Sequence, residues 1–304
     1  MIVNKGDIWI LGNHKLLCEN ALNMDNYSLL LKNELADFVF TDPPYGIKIT
    51  QWDKAIDIKE FIFLIDYFSK SDSFFAFTHQ MPLMLDWLNI LNKSAYKYKD
   101  HIIWVKRIAT AIAQDIMRSH ESLMIYKKGK PEYFKTKGKY SDVKVPGLTY
   151  EISTIDSIQR HISDLNLCIK TGERRVNKAS KGHPSYNYMS IKGVLSAEEV
   201  NFTNVWSFLP HQVANKNNKI NHPTVKPILL MERIIELCSN NNAIVLDPFL
   251  GSGSTLIACE NINRKCYGME INPQYCEEII NRWEKLTKQK AININESKVA
   301  DASS

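Results

Sequence analysis

A short apolar strand that leads through a glycine-containing turn into a helix is the feature that most restricts how this chain can fold. Residues 243–246 are apolar, the turn 247–253 follows, and helical spacing of apolar residues begins near Thr255. Gly251 and Gly253 remove Cβ atoms where the backbone must approach a ligand, and the helix amino terminus supplies N–H groups that lack partners within the helix. This arrangement is typical of nucleotide-binding folds.

The turn does not match the two common phosphate-binding patterns. No Gly-Lys-Ser/Thr follows its glycines, and the spacing differs from the dinucleotide pattern Gly-x-Gly-x-x-Gly. The next strand-like segment, 266–270, ends in Glu270. A carboxylate at the end of the second strand of such a fold binds the ribose hydroxyls of an adenosine cofactor. Glu270 is therefore the candidate ribose ligand, and a solvated acid at a strand end is the alternative.

Apolar strands alternate with helices along most of the chain, which predicts an α/β fold with a mostly parallel, doubly wound sheet. The first two strands form a hairpin that turns at Gly12-Asn13. With 304 residues, 44% of them hydrophobic, the chain can bury the core of one large domain with an insertion. The predicted strands are 7–11, 15–18, 37–41, 74–78, 102–105, 123–126, 244–247 and 266–270, and the predicted helices are 58–69, 81–91, 226–239, 255–261 and 273–288.

A second motif, Thr-Asp-Pro-Pro-Tyr-Gly, occupies residues 41–46 directly after an apolar strand. Proline fixes φ and has no N–H, so the carbonyls of Asp42 and Pro43 have no local donor and can accept hydrogen bonds from a ligand's amino group. Tyr45 offers a π face beside them. These groups suit an amino group on a flat ring, and a strand followed by a proline-rich turn is the structural alternative.

Together the two motifs resemble the S-adenosylmethionine-dependent amino-methyltransferases of DNA. The resemblance is to the beta group of adenine-N6 enzymes, in which Asp-Pro-Pro-Tyr precedes Phe-x-Gly-x-Gly, and it covers nearly the whole chain. The opening 6–22, the segment 120–129 and the element His-Pro-Thr-Val-Lys-Pro at 222–227 are similar to that family as well. The resemblance implies a Rossmann-like class I methyltransferase fold in permuted order, with the catalytic half first and the cofactor half last.

The resemblance also implies roles for individual residues. Asp42 and the carbonyl of Pro43 would accept the two hydrogens of adenine N6, with Pro44 completing the rigid turn and Tyr45 stacking on the flipped base. The family usually has Asp where Asn20 stands, and Asn can still accept from the cofactor's adenine through its side-chain carbonyl. The implied S-adenosylmethionine contacts are Asn20, Ala21, Asp42, His222, Thr224, Lys226, Asp247, Pro248, Phe249, Gly251, Ser252, Gly253, Glu270 and Asn272.

The middle of the chain is strongly basic. Residues 97–226 contain 22 Lys and Arg against 11 Asp and Glu, whereas the net charge of the whole chain is only +5. Such a basic segment suits a polyanion, and in this family the target-recognition region lies between the late core strand and the His-Pro-Thr element. A solvated surface is the alternative reading of the charge alone. The candidate DNA-binding residues are Lys135, Lys137, Lys139, Arg174 and Arg175.

Four regions follow from these assignments. Residues 1–130 form the catalytic half, 131–220 the inserted target-recognition region, 221–291 the cofactor-binding half, and 292–304 a disordered tail. The six cysteines contain no Cys-x-x-Cys pair, so neither a metal site nor a disulfide framework is predicted. The chain has no apolar run of membrane-spanning length and no signal-peptide pattern at its start, which predicts a cytoplasmic protein.

The predicted function is sequence-specific methylation of adenine N6 in double-stranded DNA, in a restriction-modification, phage or orphan setting. Two alternatives stay open. Cytosine-N4 methyltransferases perform the same type of reaction but more often carry Ser in place of Asp42. A catalytically silent DNA-binding subunit would belong to another class, and such subunits generally lose the acid, the aromatic residue or the glycines that this chain keeps. Partners considered besides DNA are a cognate restriction endonuclease and a second copy of the chain.

Overall fold

The computed structural model describes residues 2–44, 55–79, 84–105, 120–135, 137–138, 200–201, 205–207 and 225–295. Within these ranges the longer helices are α1 (Met24–Leu31), α2 (Ile58–Tyr67), α3 (Met84–Leu91), α4 (Ile228–Cys238), α5 (Ser254–Asn261) and α6 (Pro273–Thr287). The strands are β1 (Ile8–Leu11), β2 (His14–Leu17), β3 (Ala36–Thr41), β4 (Ser69–His79), β5 (Lys97–Val105), β6 (His120–Lys128), β7 (Lys137–Gly138), β8 (Val200–Asn201), β9 (Val205–Ser207), β10 (Ile244–Asp247), β11 (Lys265–Met269) and β12 (Ile292–Asn293).

Ten strands form one sheet in the order β12-β1-β2-β11-β10-β3-β4-β6-β5-β9. The five strands β2, β11, β10, β3 and β4 run parallel to one another. The pairs β12 with β1, β1 with β2, β4 with β6, and β6 with β5 are antiparallel. The parallel centre agrees with the prediction, but antiparallel strands flank it on both sides, so antiparallel pairing is more extensive than the sequence indicated.

Helices cover both faces of the sheet, as a doubly wound fold requires. Buried side chains of α4, α5 and α6 share one core with Phe38 and Phe40 of β3. Those of α1, α2 and α3 share the other core with Val39 of the same strand. Successive side chains of a strand point to opposite faces, so β3, which is apolar from Phe38 to Phe40, serves both cores. The predicted doubly wound α/β fold is confirmed.

The short strands β7, β8 and β9 were not predicted, and a helix and the end of the described chain also differ from the prediction. The helix α1 was not predicted; Asn23 caps it by accepting a hydrogen bond from the N–H of Asp25. The predicted disordered tail begins at residue 292, yet Ile292 and Asn293 form β12 and pair with Ile10 and Trp9 of β1. That assignment was therefore wrong for these two residues, because β1 offers an edge to which they add. Residues 296–304 lie outside the described ranges.

The chain divides into two compact units, residues 1–135 with 206–304 and residues 136–205. The second unit contains the antiparallel pair of β7 and β8, in which Lys137 faces Asn201. The boundaries 131–220 for a recognition region stay a prediction. Over the described ranges, no helix combines the length and apolar character needed to cross a membrane. Within the same ranges, His, Cys, Asp and Glu side chains form no group able to hold a metal ion.

Candidate active site

The candidate site lies along one edge of the sheet. Strands β2, β11, β10 and β3 are parallel neighbours, so the residues that follow each of them meet at the carboxyl edge, where ligands bind in open α/β sheets. Asn20 follows β2, Glu270 follows β11, the turn 248–253 follows β10, and Asp42 follows β3. Strand β6 is antiparallel to β4, so its first residues, which include Glu121, lie at the same edge.

Within the described part of the chain, two donors hold Asp42. The hydroxyl of Thr78, next to the end of β4, donates to Oδ1 of Asp42, and the ammonium of Lys226 donates to Oδ2. These two contacts hold the Asp42 side chain, and because it is 22% exposed it is also reachable from solvent. Because β3 and β4 are in register at Thr41 and Phe77, the next residues of the two strands are brought side by side. The carboxylate therefore has a defined orientation.

Lys226 and Glu121 are buried beside this carboxylate. Nζ of Lys226 lies 3.7 Å from Oε2 of Glu121, and their side chains are 8% and 7% exposed. Burial opposes the charged form of Lys226, but Asp42 and then Glu121 outweigh that effect and raise the pKa of its ammonium. Lys226 is therefore a cation at neutral pH. Ser254 donates to the carbonyl of Lys226 at 3.1 Å, which ties this residue to the start of α5.

Asp247 is the last residue of β10, and its carboxylate accepts hydrogen bonds from several neighbouring donors. The hydroxyl of Thr41 and the N–H of Phe249 donate to Oδ1, both at 3.1 Å, and the hydroxyl of Thr255 donates to Oδ2 at 2.6 Å. Burial raises the pKa of Asp247 to about 7 although these hydrogen bonds favour its ionised form. This side chain organises the turn, and Pro248 next to it is buried. Asp247 was predicted as a cofactor residue, and its visible role is to hold the turn.

The glycine turn depends on left-handed backbone. Gly251 has φ 53° and Gly253 has φ 76°, and Gly253 is the residue before α5. A Cβ atom on Gly253 would lie 2.8 Å from Cγ1 of Ile279, so α6 also packs too closely for a side chain there. Arg282 of α6 donates to the carbonyl of Ser252. Helix α6 thus fixes the turn, a contact that no sequence pattern indicated.

Glu270 fixes the other side of the turn. Its Oε2 accepts from the N–H of Gly251 and its Oε1 from the N–H of Asn272, both at 2.9 Å. Burial raises the pKa of Glu270 to about 7, against the effect of these hydrogen bonds. Each carboxylate oxygen has a second lone pair, so both can still accept from a hydroxyl group. The side chain of Asn272 caps α6 by accepting from the N–H of Gln274 at 2.9 Å.

The segment after β2 is organised by local hydrogen bonds. Asn20 is exposed, and its Oδ1 accepts from the N–H of Leu22 at 3.0 Å. Ala21 is buried, and its carbonyl accepts from the hydroxyl of Tyr27 at 2.9 Å. Nδ2 of Asn26 donates to the carbonyl of Asn20 at 2.8 Å. The predicted contact of Asn20 with an adenine would therefore use the same side-chain oxygen that already accepts from Leu22 and stabilises the turn.

The remaining predicted residues are distributed as follows. Pro43 is buried and Pro44 half-buried directly after Asp42, and Phe249 packs against Phe61 with ring centroids 5.4 Å apart. Lys135 donates to Glu236 at 2.7 Å rather than standing alone. Lys137 lies in β7. Tyr45, Lys139, Arg174, Arg175, His222 and Thr224 lie outside the described residues.

Three residues of the site escaped the sequence analysis: Thr78, Glu121 and Arg282. Each is contributed by an element whose place depends on strand order or helix packing rather than on a local motif. Glu121 carried the clearest signal, since it is an acid close to the apolar run Leu123–Tyr126 of β6 and a buried charge needs a partner. The structure supplies that partner in Lys226.

Comparisons with known proteins show which family this chain resembles. The model of the N6/N4 methyltransferase family, described as DNA methylase, matches residues 36–282. Type II methyltransferase M1.MboII of Moraxella bovis is 27% identical over 278 residues, which cover 87% of this chain and 93% of that protein. DNA adenine methyltransferase YhdJ of Escherichia coli (strain K12) is 38% identical over 108 residues, which cover 35% of this chain and 33% of that protein.

A solved structure is similar over most of the chain. The M1.HpyAVI–SAM complex has a TM-score of 0.52 at 20% identity and covers 88% of this chain and 98% of that one. At this identity the likeness establishes the fold, which is that of the class I methyltransferases. The family match runs from the start of β3 into α6, so it includes both Asp42 and the glycine turn. The chain belongs to the DNA methylase family of N6/N4 methyltransferases.

Proposed function

We propose that this protein transfers a methyl group from S-adenosylmethionine to N6 of adenine in DNA. The observation that carries the proposal is the fixed, partly exposed Asp42, oriented by Thr78 and Lys226 at the carboxyl edge of the sheet. Two prolines without N–H groups follow it, so its surroundings favour an incoming donor. The neighbouring turn after β10 is where this fold places a nucleotide-like cofactor.

The residues present fit S-adenosylmethionine, the methyl donor of the family. Glu270 offers a buried carboxylate for ribose hydroxyls, and the glycine turn brings the amino terminus of α5 to the same edge of the sheet. When bound, the cofactor supplies an electrophilic methyl group. Asn20 and Ala21 stand at the neighbouring strand end, and their contribution to binding is part of the proposal.

Asp42 would act on the amino group of the base. The lone pair of adenine N6 is delocalised into the ring, so the amine must be oriented before it can react. A carboxylate that accepts one N–H, with the Pro43 carbonyl accepting the other, provides that orientation. The nitrogen loses one proton when it gains the methyl group, and Asp42 or water receives it. The base must leave the double helix to reach this position.

Adenine N6 is proposed over cytosine N4 because Asp, rather than Ser, occupies position 42. The similar protein YhdJ of Escherichia coli is a DNA adenine methyltransferase by name, which agrees with this choice. Expression in cells, followed by mass spectrometry of nucleosides and modification-aware sequencing, decides between the two bases and gives the recognition sequence. N4-methylcytosine as the product would refute the adenine assignment. The absence of both modified bases would favour the silent DNA-binding subunit.

A matched pair of variants tests the role of Asp42. D42N keeps the shape of the side chain but replaces a carboxylate acceptor, and we expect methyl transfer to fall by about 10²-fold or more. Asp37 lies at the other end of β3, where it accepts from the N–H of Ile244 at 2.8 Å and pairs with Lys70. D37N should keep near-normal turnover. Normal turnover by D42N would remove Asp42 from the mechanism.

The biological setting is also proposed rather than derived. We expect a restriction-modification, phage or orphan role, with double-stranded DNA as the macromolecular substrate. A cognate restriction endonuclease and a homodimer are the partners to test by co-purification and by analytical ultracentrifugation.

A further inference from the structure

The described part of the active site contains an ammonium group between two carboxylates. Lys226 contacts Asp42 directly and lies 3.7 Å from Glu121, and the side chains of Lys226 and Glu121 are almost completely buried. Burying charges is costly unless they compensate one another. The arrangement therefore needs an explanation beyond general stability, because well-packed apolar side chains would fill the same space at lower cost.

The three side chains come from distant parts of the chain. Asp42 follows β3, Glu121 belongs to β6, and Lys226 precedes α4. Lys226 is held by its backbone as well, since Ser254 donates to its carbonyl at 3.1 Å. The backbone of Lys226 is thus anchored to the same helix, α5, that starts at the glycine turn. Lys226 therefore connects Asp42, through its side chain, with the start of α5, through its backbone.

We propose that Lys226, balanced by Glu121, is a positioning residue that keeps Asp42 ionised and directed at the substrate amine, rather than a ligand of the cofactor carboxylate. This inference rests on the proposed methyl transfer to an amino group. It replaces the role that the family resemblance implied for Lys226. Glu121, which no motif assigned, becomes part of the site.

Electrostatics explains why Asp42 needs this support. Among the described residues, Asp42 faces Lys226 from the segment before α4, Glu121 from β6, and Asp247 from β10, with Thr78 as a neutral donor from β4. Two of these three charged or titratable groups are acids, and nearby negative charge favours protonation of a carboxyl group. A protonated Asp42 would turn one oxygen into a donor and lose part of its ability to accept from an amine.

The direct test is a titration of Asp42 itself, which needs neither cofactor nor DNA. The 13C resonance of its carboxyl group is assigned by its loss in D42N and is followed with pH in the wild type, K226M, E121Q and the double variant. Removing the opposite charge in K226M should raise the pKa of Asp42 by about 1–3 units. The double variant should shift back toward the wild type, because Glu121 no longer adds negative charge. K226R retains the charge and should stay near the wild type.

Kinetics then separate the two roles of Lys226. Catalysis requires Asp42 as a carboxylate. The acid limb of the pH profile for kcat should therefore move to higher pH in K226M by as much as the pKa of Asp42 rises in the titration. The affinity for S-adenosylmethionine should stay within about twofold. A tenfold weaker cofactor affinity with an unchanged Asp42 titration would overturn the inference and restore Lys226 as a cofactor ligand. An unchanged titration with unchanged affinity would overturn it too.

The outcome is distinguishable from failure of the proposed function. A wild type that methylates no DNA, combined with the expected Asp42 titration in K226M, would reject DNA methylation while supporting the charge arrangement. If K226M does not fold, the pKa of Asp42 in E121Q is compared with its pKa in the wild type. Removing Glu121 removes negative charge near Asp42, so the pKa of Asp42 should fall, and a rise would contradict the proposal.

Discussion

Three glycine substitutions separate backbone strain from steric conflict in this fold. Gly6 has φ 90° and a Cβ atom there would have nothing within 4 Å, so G6A introduces strain alone. Gly268 has no such φ, but its Cβ would lie 2.3 Å from Cδ1 of Leu250 and 2.9 Å from the carbonyl of Asp247, so G268A introduces conflict alone. G253A introduces both, since φ is 76° and Cγ1 of Ile279 lies 2.8 Å away.

The expected losses follow from these contacts. Left-handed backbone costs a residue with a Cβ about 1–2 kcal/mol, and overpacking a filled core costs about 1–3 kcal/mol. G6A should therefore lose about 1–2 kcal/mol of the free energy of unfolding and G268A about 1–3 kcal/mol. G253A should lose about 2–5 kcal/mol, the combination of the two effects. Because Gly253 belongs to the glycine turn and Gly268 packs against Leu250 of that turn, both variants should also weaken binding of S-adenosylmethionine.

Equilibrium denaturation in urea, at one pH and with the slope of the transition checked for each variant, measures these losses. Isothermal titration calorimetry measures the cofactor affinity, for which G6A is the control because its Cβ meets no neighbour. A G253A variant as stable as G6A would refute the steric reasoning. It would mean that Ile279 and helix α6 move aside without penalty. Weaker cofactor binding by G6A would show that the binding effect is not local to the turn.

Two further predictions concern pH and DNA. Burial raises the pKa of both Asp247 and Glu270 to about 7, so the folded state keeps protons that the unfolded state has lost. The free energy of unfolding should therefore fall between about pH 4 and pH 7 and then level off, and D247N should flatten this decline; a rise over that window would contradict the assignment. Neutralising Lys137 and Lys139 should flatten the salt dependence of DNA binding by about 0.9 log units per phosphate contact. Neutralising Lys135, which already pairs with Glu236, should change it less.

The parallel centre of the sheet was predictable because a local apolar pattern in the sequence indicates each of its strands. Strand β10 is fully apolar up to Asp247, and the observed bounds Ile244–Asp247 agree with the predicted ones. Helix α1 was missed because it has only eight residues and mixes Asp25, Asn26 and Ser28 with its apolar residues. Its cap at Asn23 was the available signal. Strand β12 has two residues and exists through β1, so no local pattern could predict it.

The candidate site divides in the same way. Asp42 and Gly253 belong to short motifs whose residue types indicate their role. The contact between Lys226 and Asp42, in contrast, joins residues 184 positions apart. A motif indicates that Lys226 matters but does not say which group it touches. Glu121 joins the site only because β6 is antiparallel to β4, and antiparallel insertion reverses which end of the strand reaches the edge. Such contacts can be predicted only when the order of the strands in the sheet is known.

The permuted order of this sheet has a consequence for synthesis on the ribosome. Strand β3 pairs with β10, and the hydrogen bond from Ile244 to Asp37 spans 207 positions of sequence. At about 5–20 residues per second, one side of β3 waits about 10–40 s for its neighbour to be translated. During that interval the nascent chain presents an apolar strand with open backbone groups, which other chains can join. Nascent chains that end before β10 should therefore bind chaperones, and the full-length chain should release them.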